Sequence, residues 1–100
     1  LALPKSGVSI LLPERILRTA DPLPHSWDVT SDSIALWAAG ELSASLLLVK
    51  SREGDARDLA LVDAYFPTLS ASLDVSVRFA NGRAAGSVSR QLAALEATLL

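Results

Sequence analysis

One hundred residues, half apolar and a fifth charged, describe one packed domain with a modest core, and they exclude a disordered or fibrous chain. The net charge of -2, with nine Lys and Arg residues spread among eleven acids, lacks the clustered basic face of a nucleic-acid binder. No apolar run approaches the roughly 20 residues that cross a bilayer, and the absence of cysteine removes disulfide and thiolate chemistry and fits a reducing, cytoplasmic setting.

In chain order, Val8-Ser9-Ile10-Leu11-Leu12 is short, apolar and closed by Pro13, the pattern of a buried strand. A loop is expected to follow, and the prolines of Asp21-Pro22 and Leu23-Pro24 disfavour helix between Thr19 and Trp27. Thr30-Ser31-Asp32 opens the next element. A hydroxyl residue there can cap free N–H groups, Asp32 complements the positive helix end, and Ile34, Trp37, Ala38 and Leu42 make a buried stripe. Leu36 falls off that stripe, which predicts that the helix also touches a second element.

Ser45 to Lys50 holds a continuous apolar run, as expected of a central strand in a parallel sheet. A polar turn around Gly54 leads to a helical repeat through Val62, Tyr65, Phe66, Leu69 and Leu73, started near Asp63 or kinked by Pro67. Val75, Val77 and Phe79 alternate with Ser76 and Arg78 as in a half-buried strand. Asn81-Gly82 turns the chain, Ser87 is a candidate N-cap, and Val88, Leu92, Leu95 and Leu99 line the last helix. The predicted order is βαβαβα over residues 1–100: one α/β domain with an open, mostly parallel sheet and helices on both faces. With no methionine in the sequence, Leu1 is not expected to be the translational start, and further sequence is expected to precede it.

The chemistry concentrates in His25-Ser26-Trp27-Asp28-Val29-Thr30-Ser31-Asp32-Ser33, two carboxylates and several hydroxyls at the mouth of a helix. Ligands of open α/β sheets bind outside the carboxyl ends of strands, and helix N-termini attract phosphate. The plain alternative is that Thr30, Ser31 and Asp32 only cap the helix. His25, the single histidine, suits substrate binding or proton transfer, although a solitary loop histidine often does neither. Lys50 is either a surface lysine ending a strand or a phosphate contact. No histidine or cysteine cluster has metal-ligand spacing, and no nucleophile elbow, Walker loop or Gly-x-Gly-x-x-Gly turn occurs.

The segment His25 to Ala35 resembles the substrate-site segment of the amino acid kinase superfamily, in a spelling similar to a branch linked to methanofuran-type cofactor biosynthesis. Leu46 to Gly54, Val62-Asp63-Ala64-Tyr65-Phe66-Pro67 and Val77 to Gly82 resemble later parts of that fold. The resemblance implies a partial amino acid kinase fold, its C-terminal, nucleotide-side portion. It implies ATP-dependent phosphoryl transfer to a small phosphorylated or amine-bearing metabolite, with Mg2+ carried by the nucleotide.

Residue by residue, it makes Asp32 the acidic organiser of catalytic lysines. Asp28, Thr30, Ser31 and His25 would contact the acceptor, and Lys50 and Ser51 the nucleotide, although the family's usual Thr-Asp pair is replaced at these two positions. The family's glycine-rich loop with its lysine, and its Gly-Met-x-x-Lys segment, are absent. The isolated chain is therefore expected to be inactive and to work as a homo-oligomer or with a subunit supplying the missing half. The competing reading is a noncatalytic binding or assembly subunit that keeps the fold without the catalytic lysines.

Overall fold

A computed structural model describes residues 6–54, 58 and 60–98. Its elements, in order, are α1 (Glu14–Ala20), α2 (Ser31–Leu42), β1 (Leu46–Lys50), α3 (Phe66–Ser72), β2 (Val77–Asn81) and α4 (Ser87–Thr98). The domain is α/β, with β1 and β2 paired in parallel so that Leu46 faces Val77, Leu48 faces Phe79 and Lys50 faces Asn81.

Alternation decides what each face of this sheet meets. Leu46, Leu48, Val77 and Phe79 join the core with Leu36 and Trp37 of α2 and Phe66 and Leu69 of α3. Phe66 is completely buried and meets Phe79 edge to face, with ring centroids 6.3 Å apart, a favoured aromatic geometry. Arg78 and Ala80 point the other way. Arg78 Nε donates to Gln91 Oε1 of α4 at 2.6 Å, and Ala80 is buried. Helices therefore cover both faces, α2 and α3 on one and α4 on the other.

The N-terminal quarter departs from the expected pattern. Val8–Leu12 is not a strand: it has no regular secondary structure, because a strand requires a ladder partner and none of the described residues supplies one. The expected loop after Pro13 is instead α1. Pro13 is its N-cap, Glu14 and Arg18 form an i,i+4 ion pair at 2.6 Å, and Asp21 ends it in the left-handed conformation at φ 47°. The order among the described residues is thus ααβαβα, with two strands in place of three.

Two helix stripes also shift. In α2 the buried face centres on Leu36, Trp37, Ala38 and Ala39, with Ile34 and Leu42 only half-buried. Leu36 is the side chain that reaches the second layer, as its off-stripe position predicts. In α4, Leu95 is buried, whereas Leu92 is exposed; Leu99 lies outside the described residues. The first predicted strand residues Ser45 and Val75 sit just before β1 and β2, and Val75 still packs against the core. No described helix is long and apolar enough to cross a membrane.

Candidate functional site

In a parallel sheet, each helix that precedes a strand brings its N-terminus to that strand's carboxyl end, and each helix that follows starts there. The N-termini of α2 and α4 consequently gather beyond Lys50 and Asn81. The two strand ends are tied together by Gly82, whose N–H donates to the Lys50 carbonyl at 2.7 Å. A Cβ on Gly82 would lie 3.0 Å from Val49 Cγ1, so this close approach favours glycine. Asn81 N–H donates to Ser87 Oγ at 3.0 Å, joining the end of β2 to the start of α4, and Gly86 enters that helix at φ +77°.

Lys50 is the last residue of β1, on the α2 face of the sheet. Its Nζ donates to Asp32 Oδ1 at 2.7 Å, with the lysine side chain 23% and the aspartate side chain 12% exposed. Asp32 therefore points at the strand end rather than into bulk solvent. The pair is a charge-assisted hydrogen bond in a partly desolvated place, where such bonds are stronger than on an open surface.

A second carboxylate, not singled out by the sequence except as a helix start, organises the entrance to α2. Asp63 Oδ2 accepts from Thr30 N–H (2.8 Å), Thr30 Oγ1 (3.0 Å) and Ser33 N–H (3.0 Å). Its Oδ1 accepts from Ser33 Oγ and, at 3.0 Å, from Phe66 N–H at the head of α3. Thr30 is the N-cap of α2 but makes no capping bond with its own side chain; Asp63 takes over that role from 33 residues away. Partial burial pushes the Asp63 carboxyl up, but the hydrogen bonds from Ser33 and Thr30 outweigh it and hold it below its ordinary value. The Thr30 and Ser33 N–H groups at this helix end are thus already engaged by a carboxylate of the chain itself.

The remaining candidate residues occupy the approach to α2. Asp28 is exposed; its N–H donates to Ser26 Oγ at 3.1 Å, and its carbonyl accepts from Tyr65 N–H at 3.0 Å. Ser31, the first helical residue, is exposed, as is Ser51 after Lys50. His25 is exposed and hydrogen-bonds Asp21 through Nε2. It lines a cleft of about 220 Å3 between α1 and the proline loop, with Leu17, Leu23, Ser26, Val29 and Ile34. The structure brings Asp32 and Lys50 together at the strand end; His25 and Asp28 lie on the loop before α2 without a contact to each other, and Asp63, from the segment before α3, holds Thr30 and Ser33. Trp37 and Phe66 are core side chains.

This arrangement defines a parallel α/β domain with a paired lysine and aspartate at the carboxyl end of a strand. Among proteins of known activity, the chain is similar to the [5-(aminomethyl)furan-3-yl]methyl phosphate kinase of Methanocaldococcus jannaschii, with 28% identity over 97 aligned residues. The alignment covers 79% of this chain and 45% of that enzyme, so the chain spans less than half the length of the relative. No family model matches it, and no solved structure does so significantly.

Proposed function

We propose that this chain is the C-terminal, nucleotide-side portion of a small-molecule kinase of the amino acid kinase superfamily. The observation that carries the reading is the Lys50–Asp32 bond at the carboxyl end of β1, in a chain similar to a phosphate kinase. Phosphoryl transfer depends on positioning and on neutralising charge at the transferred group. A lysine held by an aspartate at a strand end does both, because the carboxylate fixes the direction of the ammonium while two of its three N–H donors stay available to other acceptors.

The residues present fit a nucleotide triphosphate on the chemistry of their donors. Lys50 and Ser51 would receive phosphate oxygens beside the Asn81–Gly82 turn and the start of α4, while a carboxylate, Asp63, already lies against the α2 N-terminus. Among the described residues no group of three or more His, Cys, Asp or Glu could hold a metal ion, so Mg2+ would be held chiefly by the nucleotide phosphates, whose charge it would neutralise. Asp32 serves as the organiser, orienting Lys50 and not itself attacking. Asp28, Thr30, Ser31 and His25 face the phosphoryl acceptor, where the exposed Asp28 carboxylate suits an amine. Further cations for the transition state come from polypeptide equivalent to the part of the relative outside the alignment, as a fused half or a partner subunit.

The test is ADP release by the natural protein with ATP, Mg2+ and a panel of small amine-bearing and phosphorylated acceptors. Release that requires one acceptor is the expected result. Failure to bind ATP and to release ADP with any acceptor would leave the assembly-subunit reading in its place.

A further inference from the structure

The amino ends of β1 and β2 carry a second concavity, at the far end of the sheet from Lys50. Leu46 N–H donates to the Ser76 carbonyl at 2.8 Å and holds the two strand starts together. Beside them Ser43, Ser45, Leu73, Asp74 and Ser76 line a cavity of about 500 Å3, within the range of roughly 300–1,000 Å3 typical of small-molecule sites. The chain from Ser45 to Lys50, at ~3.3 Å per residue, puts it roughly 16 Å from the proposed phosphate site, so the two are separate.

Charge at this end is one-sided. Here α2 finishes: Ser43 is its C-cap, in the left-handed conformation at φ 53°, and no basic residue lies in its last turn. A helix leaves its last carbonyls without internal partners. Those of Ala39 and Gly40 accept from Ala44 N–H at 2.9 Å and Ser43 N–H at 3.3 Å, whereas those of Glu41 and Leu42 have no backbone donor among the described residues. Asp74 adds a full, exposed carboxylate, and neither it nor the hydroxyls of Ser43, Ser45 and Ser76 bonds to a described residue. No Lys or Arg occurs from Thr19 to Val49 or from Asp58 to Val77, the stretches that supply the cavity walls, so they bring no cation of their own.

We propose that this cavity binds a small organic ammonium ion that also carries hydroxyl groups, with the ammonium at Asp74 and the carboxyl end of α2 and the hydroxyls at the serines. Helix carboxyl ends and carboxylates both favour cations, and an ammonium has three donors to share between them. A bare divalent metal does not fit: it needs about six oxygen ligands, and among the described residues no group of three or more His, Cys, Asp or Glu could hold one. The proposal does not rest on the kinase reading, since none of its residues belongs to the site at Lys50.

NMR titration of the 15N-labelled natural protein with probes of one shape tests it: serinol, glycerol, which replaces the ammonium by a hydroxyl, and isopropylamine, which keeps the ammonium and loses the hydroxyls. Serinol is expected to bind saturably with a Kd below ~10 mM and to shift the amides of Ser43–Ser45 and Leu73–Ser76. Glycerol and isopropylamine should bind at least ~10-fold more weakly, as should serinol to Asp74→Asn. Because Asp74 is exposed and unpaired, that variant is expected to keep the unfolding midpoint of the natural protein, which is checked on the same sample. Equal binding of serinol and glycerol, an unchanged affinity in Asp74→Asn, shifts centred at another place, or no saturable binding of serinol would each overturn the proposal.

Discussion

Replacing Asp63 with alanine is expected to lower the unfolding free energy by about 3 kcal/mol, measured by urea denaturation, a large share of the roughly 5–15 kcal/mol that holds a domain of this kind together. Five donors lose a carboxylate oxygen, of which Phe66 N–H alone keeps a second acceptor, the residue 63 carbonyl at 3.2 Å. Thr30 is exposed and water can replace part of what it loses, but Ser33 is fully buried, so its N–H and hydroxyl would be left without partners, and unsatisfied buried donors carry most of the cost. Asparagine rescues little, because its amide NH2 turns one of the two acceptor positions into a donor facing donors.

The same bonds set a pH dependence. The folded-state pKa of Asp63 is depressed, so its stabilisation is fully present above the unfolded value of about 3.9 and is lost as pH falls through the lower, folded value. Stability of the wild-type chain should therefore decline below about pH 4 partly through this group, and that portion of the decline should vanish in Asp63→Asn. An acid limb identical in the two proteins would show that Asp63 is not the group responsible.

The second large effect concerns the Lys50–Asp32 pair. Lys50→Met leaves a carboxylate that is only 12% exposed without its cation, and the expected loss is about 2 kcal/mol. Adding Asp32→Leu should restore most of that stability, since replacing a desolvated ion pair by apolar side chains is often neutral. Activity should not follow. Under the proposed kinase function, both the single and the double variant of the natural protein are expected to lose at least ~100-fold in phosphoryl transfer, because the missing ammonium would stabilise charge that develops only in the transition state. A double variant that regained both stability and rate would reduce the pair to a structural contact.

The two β-strands and α2 to α4 were readable because local pattern and tertiary setting agree there. Within the apolar run Leu46 to Val49, Leu46 and Leu48 face the core, whereas on the α4 side Leu47 is half-buried and Val49 is 54% exposed; Val77-Arg78-Phe79 alternates because Arg78 faces α4 while its neighbours face the core. The first quarter departs from its local pattern for a matching reason. Val8–Leu12 carries the apolar pattern of a strand without a partner among the described residues, and Pro13, which can end a strand, is equally suited to starting a helix. Seven-residue α1 is too short for periodicity to reveal.

At the site, Asp32 and Lys50 could each be picked out from its position at an element end, but their contact spans 18 residues and depends on how α2 lies on β1. Asp63 was harder still. An aspartate three residues before Phe66 signals a helix start, yet nothing local tells that its carboxylate also caps another helix 30 residues earlier. Hydrogen bonds between distant loops leave no spacing to read.

The proposed function has nucleotide phosphates received at the carboxyl ends of β1 and β2. Titration of the 15N-labelled natural protein with a nonhydrolysable ATP analogue and Mg2+, followed by NMR, addresses it most directly. The largest amide shifts are expected at Lys50, Ser51 and the Asn81–Ser87 turn. Shifts confined to the cleft around His25 and Leu17, or no shifts at saturating nucleotide, would contradict it.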